Sequence, residues 1–196
     1  MEIIYEYECL LSILVENQPS ILTRIVGLLT RRGFIIESLV VGSTEYESLS
    51  RILIVLPGNL RIIDQVTRQL YKLFPIVKVY NLTHIPSITR ELILFKILAN
   101  EKEREKILNI TKVFKADVVD CTNKTITLEV TGDAEKIVAV EQLIHKFGIL
   151  EKVRTGKIGL SKESITSSQL YTVQRDRLRR RMVNTHVTDL ENKMYL

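Results

Sequence analysis

Apolar positions along the chain alternate between two periods, and the switches divide it into elements. The segment Tyr5 to Glu16 is almost continuously apolar from Cys9 to Val15, the pattern of a buried strand. Asn17-Gln18-Pro19-Ser20 then forms a turn. Pro19 disfavours a helical Gln18 and suits a helix entry, and Ser20 is expected to cap. Beyond it, apolar residues fall at 21, 22, 25, 28 and 29, with Arg24, Arg31 and Arg32 off the stripe. This is helical spacing, and Gly33 closes the helix. Phe34 to Thr44 and Ser50 to Leu56 are β-rich runs around the polar loop Glu45 to Ser48, an antiparallel hairpin. After a break at Pro57-Gly58-Asn59, Ile63, Val66, Leu70 and Leu73 form a second helical stripe. Pro75 ends it, and Ile76 to Leu82 is a fourth strand. The order is β-α-β-β-α-β.

The same order then repeats. Glu91 to Ala99 is a strand, and residues 101–115 are a charged helix with Ile107, Ile110, Thr111 and Phe114 inward. Asp117 to Cys121 and Thr125 to Thr131 are strands around Asn123-Lys124. Residues 134–147 form a helix with Ile137, Val140, Ile144 and Phe147 inward, Gly148 ends it, and Ile149 to Ile158 is the last strand. The fold class is therefore α+β, with two tandem units that resemble the ferredoxin-like βαββαβ topology. The units are expected at 5–83 and 90–160, joined by a linker over Thr83 to Thr89, with a basic tail at 161–196.

Composition narrows the function classes. The 196 residues are 45% hydrophobic and 26% charged, an ordinary globular balance. No apolar run is long enough for a membrane span. The acidic start, Met1 to Glu8, has neither the basic-then-apolar pattern of a secretory signal nor the composition of a transit peptide. Cys9 and Cys121 lie in strand-like runs and are expected to be buried free thiols of a reducing compartment. The net charge of +5 invites a nucleic-acid reading. Residues 161–196 contribute +3 of it, led by Arg175, Arg177, Arg179, Arg180 and Arg181, so the folded body carries only +2. The third strands of both units lack the aromatic residues with which RNA-recognition modules stack bases.

Catalytic chemistry is sparse. His84, His145 and His186 lie far apart, and no paired His or Cys spacing suits a metal. There is no nucleophile elbow and no glycine-rich phosphate loop. One turn stands out, that between the first strand and first helix. A helix N-terminus offers free N–H groups and the positive end of a dipole, which suit a carboxylate. Asn17 beside it both donates and accepts, as the two ends of a free amino acid require. The same residues also make a plain turn and cap, and spacing alone favours that reading.

The residues of that turn carry a family resemblance. Asn17-Gln18-Pro19-Ser20-Ile21-Leu22-Thr23-Arg24-Ile25-Val26-Gly27-Leu28-Leu29, followed by Arg31-Arg32-Gly33-Phe34-Ile35-Ile36-Glu37-Ser38-Leu39-Val40-Val41-Gly42, resembles the regulatory small subunit of acetolactate (acetohydroxyacid) synthase. Ser50-Arg51, Gln69-Leu70-Tyr71-Lys72-Leu73, Arg90-Glu91-Leu92, Phe114 to Asp120, Gly132-Asp133 and Arg154 to Leu160 continue the likeness in register over about residues 6–162. The resemblance implies an N-terminal ACT domain, a second ferredoxin-like domain, and a chain that is not catalytic by itself. Its partner would be the catalytic large subunit, which condenses two pyruvates to 2-acetolactate and holds thiamine diphosphate, magnesium and FAD. This chain would hold no cofactor. It would stimulate that subunit, mediate feedback by valine, and form a homodimer through the ACT domain.

The effector residues that the resemblance implies are Asn17, Pro19, Ser20, Ile21, Leu22 and Ile35. Two depart from the family pattern, which has Gly at the place of Ser20 and Asn at that of Ile35. Other function classes consistent with the residues are a stand-alone ACT-type amino-acid sensor and a nucleic-acid binder acting through the tail. Isoleucine occurs 24 times and alanine four, the usage of an AT-rich genome. With no transit peptide expected, that points to the stroma of a plastid that encodes the chain, or to a bacterial cytoplasm.

Overall fold

The structure, a computed structural model, describes residues 7–162, so most of the expected tail, with His186, lies outside the described residues. The elements run β1 (Tyr7–Glu16), α1 (Ile21–Arg31), β2 (Ser38–Ser43), β3 (Leu49–Gly58), α2 (Leu60–Leu70), β4 (Ile76–Asn81), β5 (Ser87–Leu98), α3 (Glu101–Phe114), β6 (Asp117–Cys121), β7 (Thr125–Gly132), α4 (Ala134–Ile144), β8 (Ile149–Arg154) and β9 (Ile158–Ser161). Two antiparallel sheets result. The first has the order β2-β3-β1-β4 and the second β6-β7-β5-β8, with β9 added along β5. Each is a βαββαβ unit with its two helices on one face, the expected α+β architecture.

Period-2 alternation on the central strands explains why the helices sit where they do. In the first unit, Leu11, Ile13 and Val15 of β1 and Ile52, Ile54 and Leu56 of β3 point to one face. There they meet Ile25 and Leu29 of α1 and Ile63, Val66 and Leu70 of α2. In the second, Ile93, Phe95 and Ile97 of β5 and Ile126, Leu128 and Val130 of β7 meet Ile107 of α3 and Ile137, Val140 and Ile144 of α4. The inward residues of the amphipathic stripes are thus the core residues.

The opposite face of the first sheet is also apolar. Leu10, Leu53, Val55 and Leu82 cluster there, with Val40, Tyr80 and Ile85 packed against them. Strand β9 covers part of this face: a Cβ on Gly159 would stand 2.8 Å from Leu10 Cδ2 and 3.1 Å from Leu82 Cδ1. Glycine is required there by the close approach of the strand to the sheet. The two units are therefore joined by packing as well as by the chain.

Several expectations need correction. The single strand expected from Ile149 to Ile158 is two, because Gly156 turns the chain at φ +87° and sends β9 to pair with the start of β5. That pairing draws Ser87–Arg90 into β5, so three of the seven residues of the linker expected over 83–89 are strand. Phe34 to Glu37 is irregular, and β2 starts only at Ser38. β3 runs on through Pro57 to Gly58. Cys9 is buried, which pushes its thiol pKa up, but Cys121 is exposed because β6 is an outer strand of its sheet.

Candidate functional site

Helix ends show where the first unit differs from ordinary helix chemistry. Asn59 caps α2 by accepting from the N–H groups of Arg61 and Ile62, at 3.1 and 3.2 Å. Asp133 caps α4 by accepting from Lys136 N–H at 2.9 Å. At α3, Glu103 Oε2 accepts from the N–H of Asn100. Helix α1 has no such partner. Ser20, the expected cap, makes no side-chain cap hydrogen bond and sits at φ 64°, ψ 9°, in the left-handed region. Its Cβ direction there carries the hydroxyl away from the capping geometry, which needs an extended Ncap backbone.

The start of α1 is consequently open. Ile21 N–H donates to Gln18 O at 3.3 Å, and Arg24 N–H donates to Ser20 O at 3.0 Å. Between them, the N–H groups of Leu22 and Thr23 point along the helix axis at the positive end of its dipole. Pro19, Ser20 and Leu22 are exposed. Ile21 packs against the first core and so has a structural role.

Asn17 is committed locally. Its Nδ2 donates to Glu47 O at 2.5 Å, and its Oδ1 accepts from Ser50 Oγ at 2.5 Å. Its backbone N–H donates to Ser48 O. The side chain therefore ties the β1–α1 turn to the β2–β3 loop and remains exposed.

The sixth expected residue is elsewhere. Phe34 N–H donates to Leu29 O, so Ile35 leaves the C-terminal end of α1. The eleven residues of that helix put about 16 Å between it and Ser20. Ile35 is 55% exposed. Within one chain, the structure gathers Asn17, Pro19, Ser20, Ile21 and Leu22 at one end of α1, and Ile35 stands at the other.

A second concave feature lies between the units. A cleft of about 320 Å³ is lined by Glu8, Glu37, Ser38, Glu91, Arg154 and Lys157, among others. Glu91 is buried, and its Oε2 accepts from Arg154 Nε at 3.0 Å and from Nη2 at 2.6 Å. Lys157 pairs with Glu8 across the cleft, and burial pushes its ammonium pKa below the usual lysine range. Each unit supplies one half of that cross-cleft pair. Sequence reasoning took Arg154 to Leu160 as a point of likeness only. The one available signal was the Thr-Gly turn within it.

Among the described residues no three His, Cys, Asp or Glu side chains gather as a metal site. No described helix is long and apolar enough to cross a membrane. His84 and His145 are both exposed.

Comparison with known proteins places this geometry. A family model described as the small subunit of acetolactate synthase matches residues 90–163, and one described as an AHAS small subunit-like ACT domain matches 11–78. A probable acetolactate synthase small subunit of Methanothermobacter thermautotrophicus is 42% identical over 158 residues, which is 80% of this chain and 94% of that protein. The chloroplastic acetolactate synthase small subunit 2 of Arabidopsis thaliana is 46% identical over 154 residues, 79% of this chain. The match spans only 32% of the length of that plant relative. Among solved structures, the acetolactate synthase small subunit of Thermotoga maritima superposes with a TM-score of 0.73 at 30% identity, over 81% of this chain and 99% of that one.

Proposed function

Because the chain belongs to the acetolactate synthase small-subunit family, we propose that it is the regulatory partner of a catalytic large subunit. That subunit condenses two pyruvates to 2-acetolactate, with release of carbon dioxide. Thiamine diphosphate, magnesium and FAD belong, in this reading, to the large subunit. The small subunit raises its rate and passes on the level of valine.

The observation that carries the effector reading is the open start of α1. The N–H groups of Leu22 and Thr23 suit the carboxylate of an amino acid. Leu22 offers its isopropyl side chain an apolar contact. One chain supplies only part of a site, since a small ligand needs most of its surface covered. A homodimer through the first unit supplies the rest. Two-fold pairing brings residue i of one copy against residue j of the other and the reverse. An antiparallel arrangement of two α1 helices would set the partner's Ile35 beside Ser20, although the two are a helix length apart in one chain. Glycine at 20 and asparagine at 35 in the family pattern then face each other across the pair. Ser20 and Ile35 weaken valine sensitivity and leave activation intact. We place the chain in a plastid stroma, or alternatively a bacterial cytoplasm, on its isoleucine-rich, alanine-poor usage.

The test is reconstitution. The cognate large subunit is assayed for acetolactate formation with and without this chain, across valine concentrations. Several-fold stimulation is expected, with weak inhibition by valine that strengthens in the double variant Ser20→Gly, Ile35→Asn. Losing a hydrogen bond to a charged group costs about 1.5–3 kcal/mol, roughly ten- to hundredfold in affinity. Equal rates with and without the chain overturn the regulatory reading. Strong valine inhibition that the double variant does not improve overturns the effector assignment.

A further inference from the structure

We infer that the exposed helical face of the first unit is the docking surface for an acidic protein surface, which under the reading above is that of the catalytic subunit. The inference rests on that reading for the identity of the partner, and on charge for the place.

The two helical layers differ in charge. α1 and α2 hold four basic residues, Arg24, Arg31, Arg61 and Arg68, against the single acid Asp64. α3 and α4 hold five basic and five acidic residues. Arg32 and Lys72, just past the ends of α1 and α2, add to the first layer. All six cations are exposed, and none makes an ion pair among the described residues.

Helix electrostatics accounts for only part of this. Cations near helix C-termini oppose the negative dipole end, which explains Arg31, Arg32, Arg68 and Lys72. Arg24 and Arg61 lie in the first turns, where a positive charge meets the positive dipole end. Neither first turn has an acid, whereas α3 starts with Glu101 and Glu103 and α4 with Glu135. The first turns of α3 and α4 also hold cations, but beside acids, whereas those of α1 and α2 hold Arg24 and Arg61 with no acid, so a charge-complementary partner is what these two arginines call for.

The face is also shaped. Leu28, Arg31, Arg32, Gln69 and Lys72 line a groove of about 420 Å³ between α1 and α2. Gln69 also borders a second hollow of about 390 Å³, with Arg61, Asp64, Gln65 and Arg68. Two residues past Lys72, Phe74 is 91% exposed. Arginine is enriched in binding hot spots, and four arginines line these two hollows. The homodimer proposed above sets two α1 helices side by side and leaves the outward face of α1 and α2 free; a second copy is a poor occupant of that outward face, because two-fold pairing there would set like charges together. The basic tail is a poor occupant for the same reason. The cations spread over both helices, so an extended surface fits better than a small anion. An acidic protein face fits better than a nucleic acid, because Leu28 and Asp64 line the same hollows.

The test compares the full chain with Arg24→Glu/Arg61→Glu, Arg24→Gln/Arg61→Gln, and the control Lys106→Glu/Lys112→Glu on α3. Circular dichroism checks folding. Affinity for the cognate large subunit is measured by sedimentation at roughly 50 and roughly 500 mM salt. The charge reversal is expected to weaken binding by about tenfold or more at low salt, with less effect at high salt. The neutral pair should lose less, and the control should bind like the unmodified chain. Equal binding by the reversal and the unmodified chain overturns the inference and leaves the regulatory reading standing. Equal loss in the control overturns it too, since the patch is then not the determinant. Loss of binding to a nucleic-acid duplex alone, with large-subunit affinity unchanged, assigns the patch to nucleic acid instead. No binding by the unmodified chain refutes the regulatory reading, and this inference falls with it.

Discussion

Replacing Ser20 by glycine is expected to stabilise the protein. Ser20 holds φ 64° at the start of α1, and its hydroxyl makes no cap hydrogen bond. A non-glycine residue in the left-handed region pays about 1–2 kcal/mol, which glycine does not. Against this, glycine adds freedom to the unfolded chain, worth about 0.4–1 kcal/mol. The balance is a gain of about 0.5–1 kcal/mol, a rise in Tm of roughly 1–4 °C for a protein of this size. The Ser20→Ala variant loses the hydroxyl but keeps the Cβ, so it should stay within about 0.5 kcal/mol of the unmodified chain. Ser20→Val puts a β-branched side chain at the same φ and should lose about 1–2 kcal/mol. Urea unfolding of the three variants, with m unchanged, is the assay. If Ser20→Gly is destabilised and Ser20→Ala loses more than about 1 kcal/mol, the hydroxyl is capping α1 after all and the strain argument fails.

Three further outcomes follow from the contacts described. Arg154→Ala should cost about 2–3 kcal/mol, because the Glu91 side chain, 1% exposed, is left as an unpaired buried carboxylate. Glu91→Gln should cost only about 1 kcal/mol, since Arg154 is half exposed and rehydrates; equal losses in urea melts would refute this asymmetry. Burial lowers the pKa of Lys157, so between its folded value and the ordinary 10.5 the unfolded chain binds more protons, and stability should rise with pH through that window. Lys157→Met should lack the rise, and parallel stability curves for the two proteins would contradict it. In the reconstituted holoenzyme, the effects of Ser20→Gly and Ile35→Asn on valine inhibition should be non-additive, although positions so far apart in one chain ordinarily act independently. Strict additivity would count against a site shared between copies.

The order of elements was legible because it depends on local periodicity. Stripes such as 63, 66 and 70 have no other use on a helix than to face a core, and these three residues are buried in it. What escaped the sequence is non-local. Ser87–Arg90 alternates too weakly to announce a strand, and becomes one only because β9 pairs with it. β9 in turn exists because Gly156 adopts a positive φ in a stretch, Ile149 to Ile158, that reads as one run. Cys121 looked buried from its neighbours and is exposed because of where β6 falls in the sheet, which a single strand does not encode. At the candidate site, the turn itself was legible and its backbone was not. A serine before a helix reads as a cap, and nothing in its neighbours declares φ 64°. Likewise nothing near Asn17 declares that its amide donates to the loop 30 residues further on. Charge was misleading in the same way. A body of net +2 looks neutral until the sheet places four arginines on one helical layer and balanced charge on the other.

Strand β1 links these features. Its last residue, Glu16, leads into the turn that opens α1, and Glu8, near its start, pairs with Lys157 of the second unit. Between them Leu11 and Ile13 face the helices, and Leu10 faces the side on which β9 lies. A strand packed on both faces cannot slide without opening cavities, and each lost leucine contact of that kind costs about 2–5 kcal/mol. Sliding β1 would open such cavities at Leu10, Leu11, Ile13, Leu14 and Val15 together, and an amino acid held by two or three hydrogen bonds at the start of α1 does not supply that sum as differential binding energy. A ligand can shift an equilibrium only by its preference for one state over another. The states it can select are therefore those that leave β1 and its core intact. Those are rearrangements between copies, or between this chain and its catalytic partner, at surfaces where helices α1 and α2 are exposed.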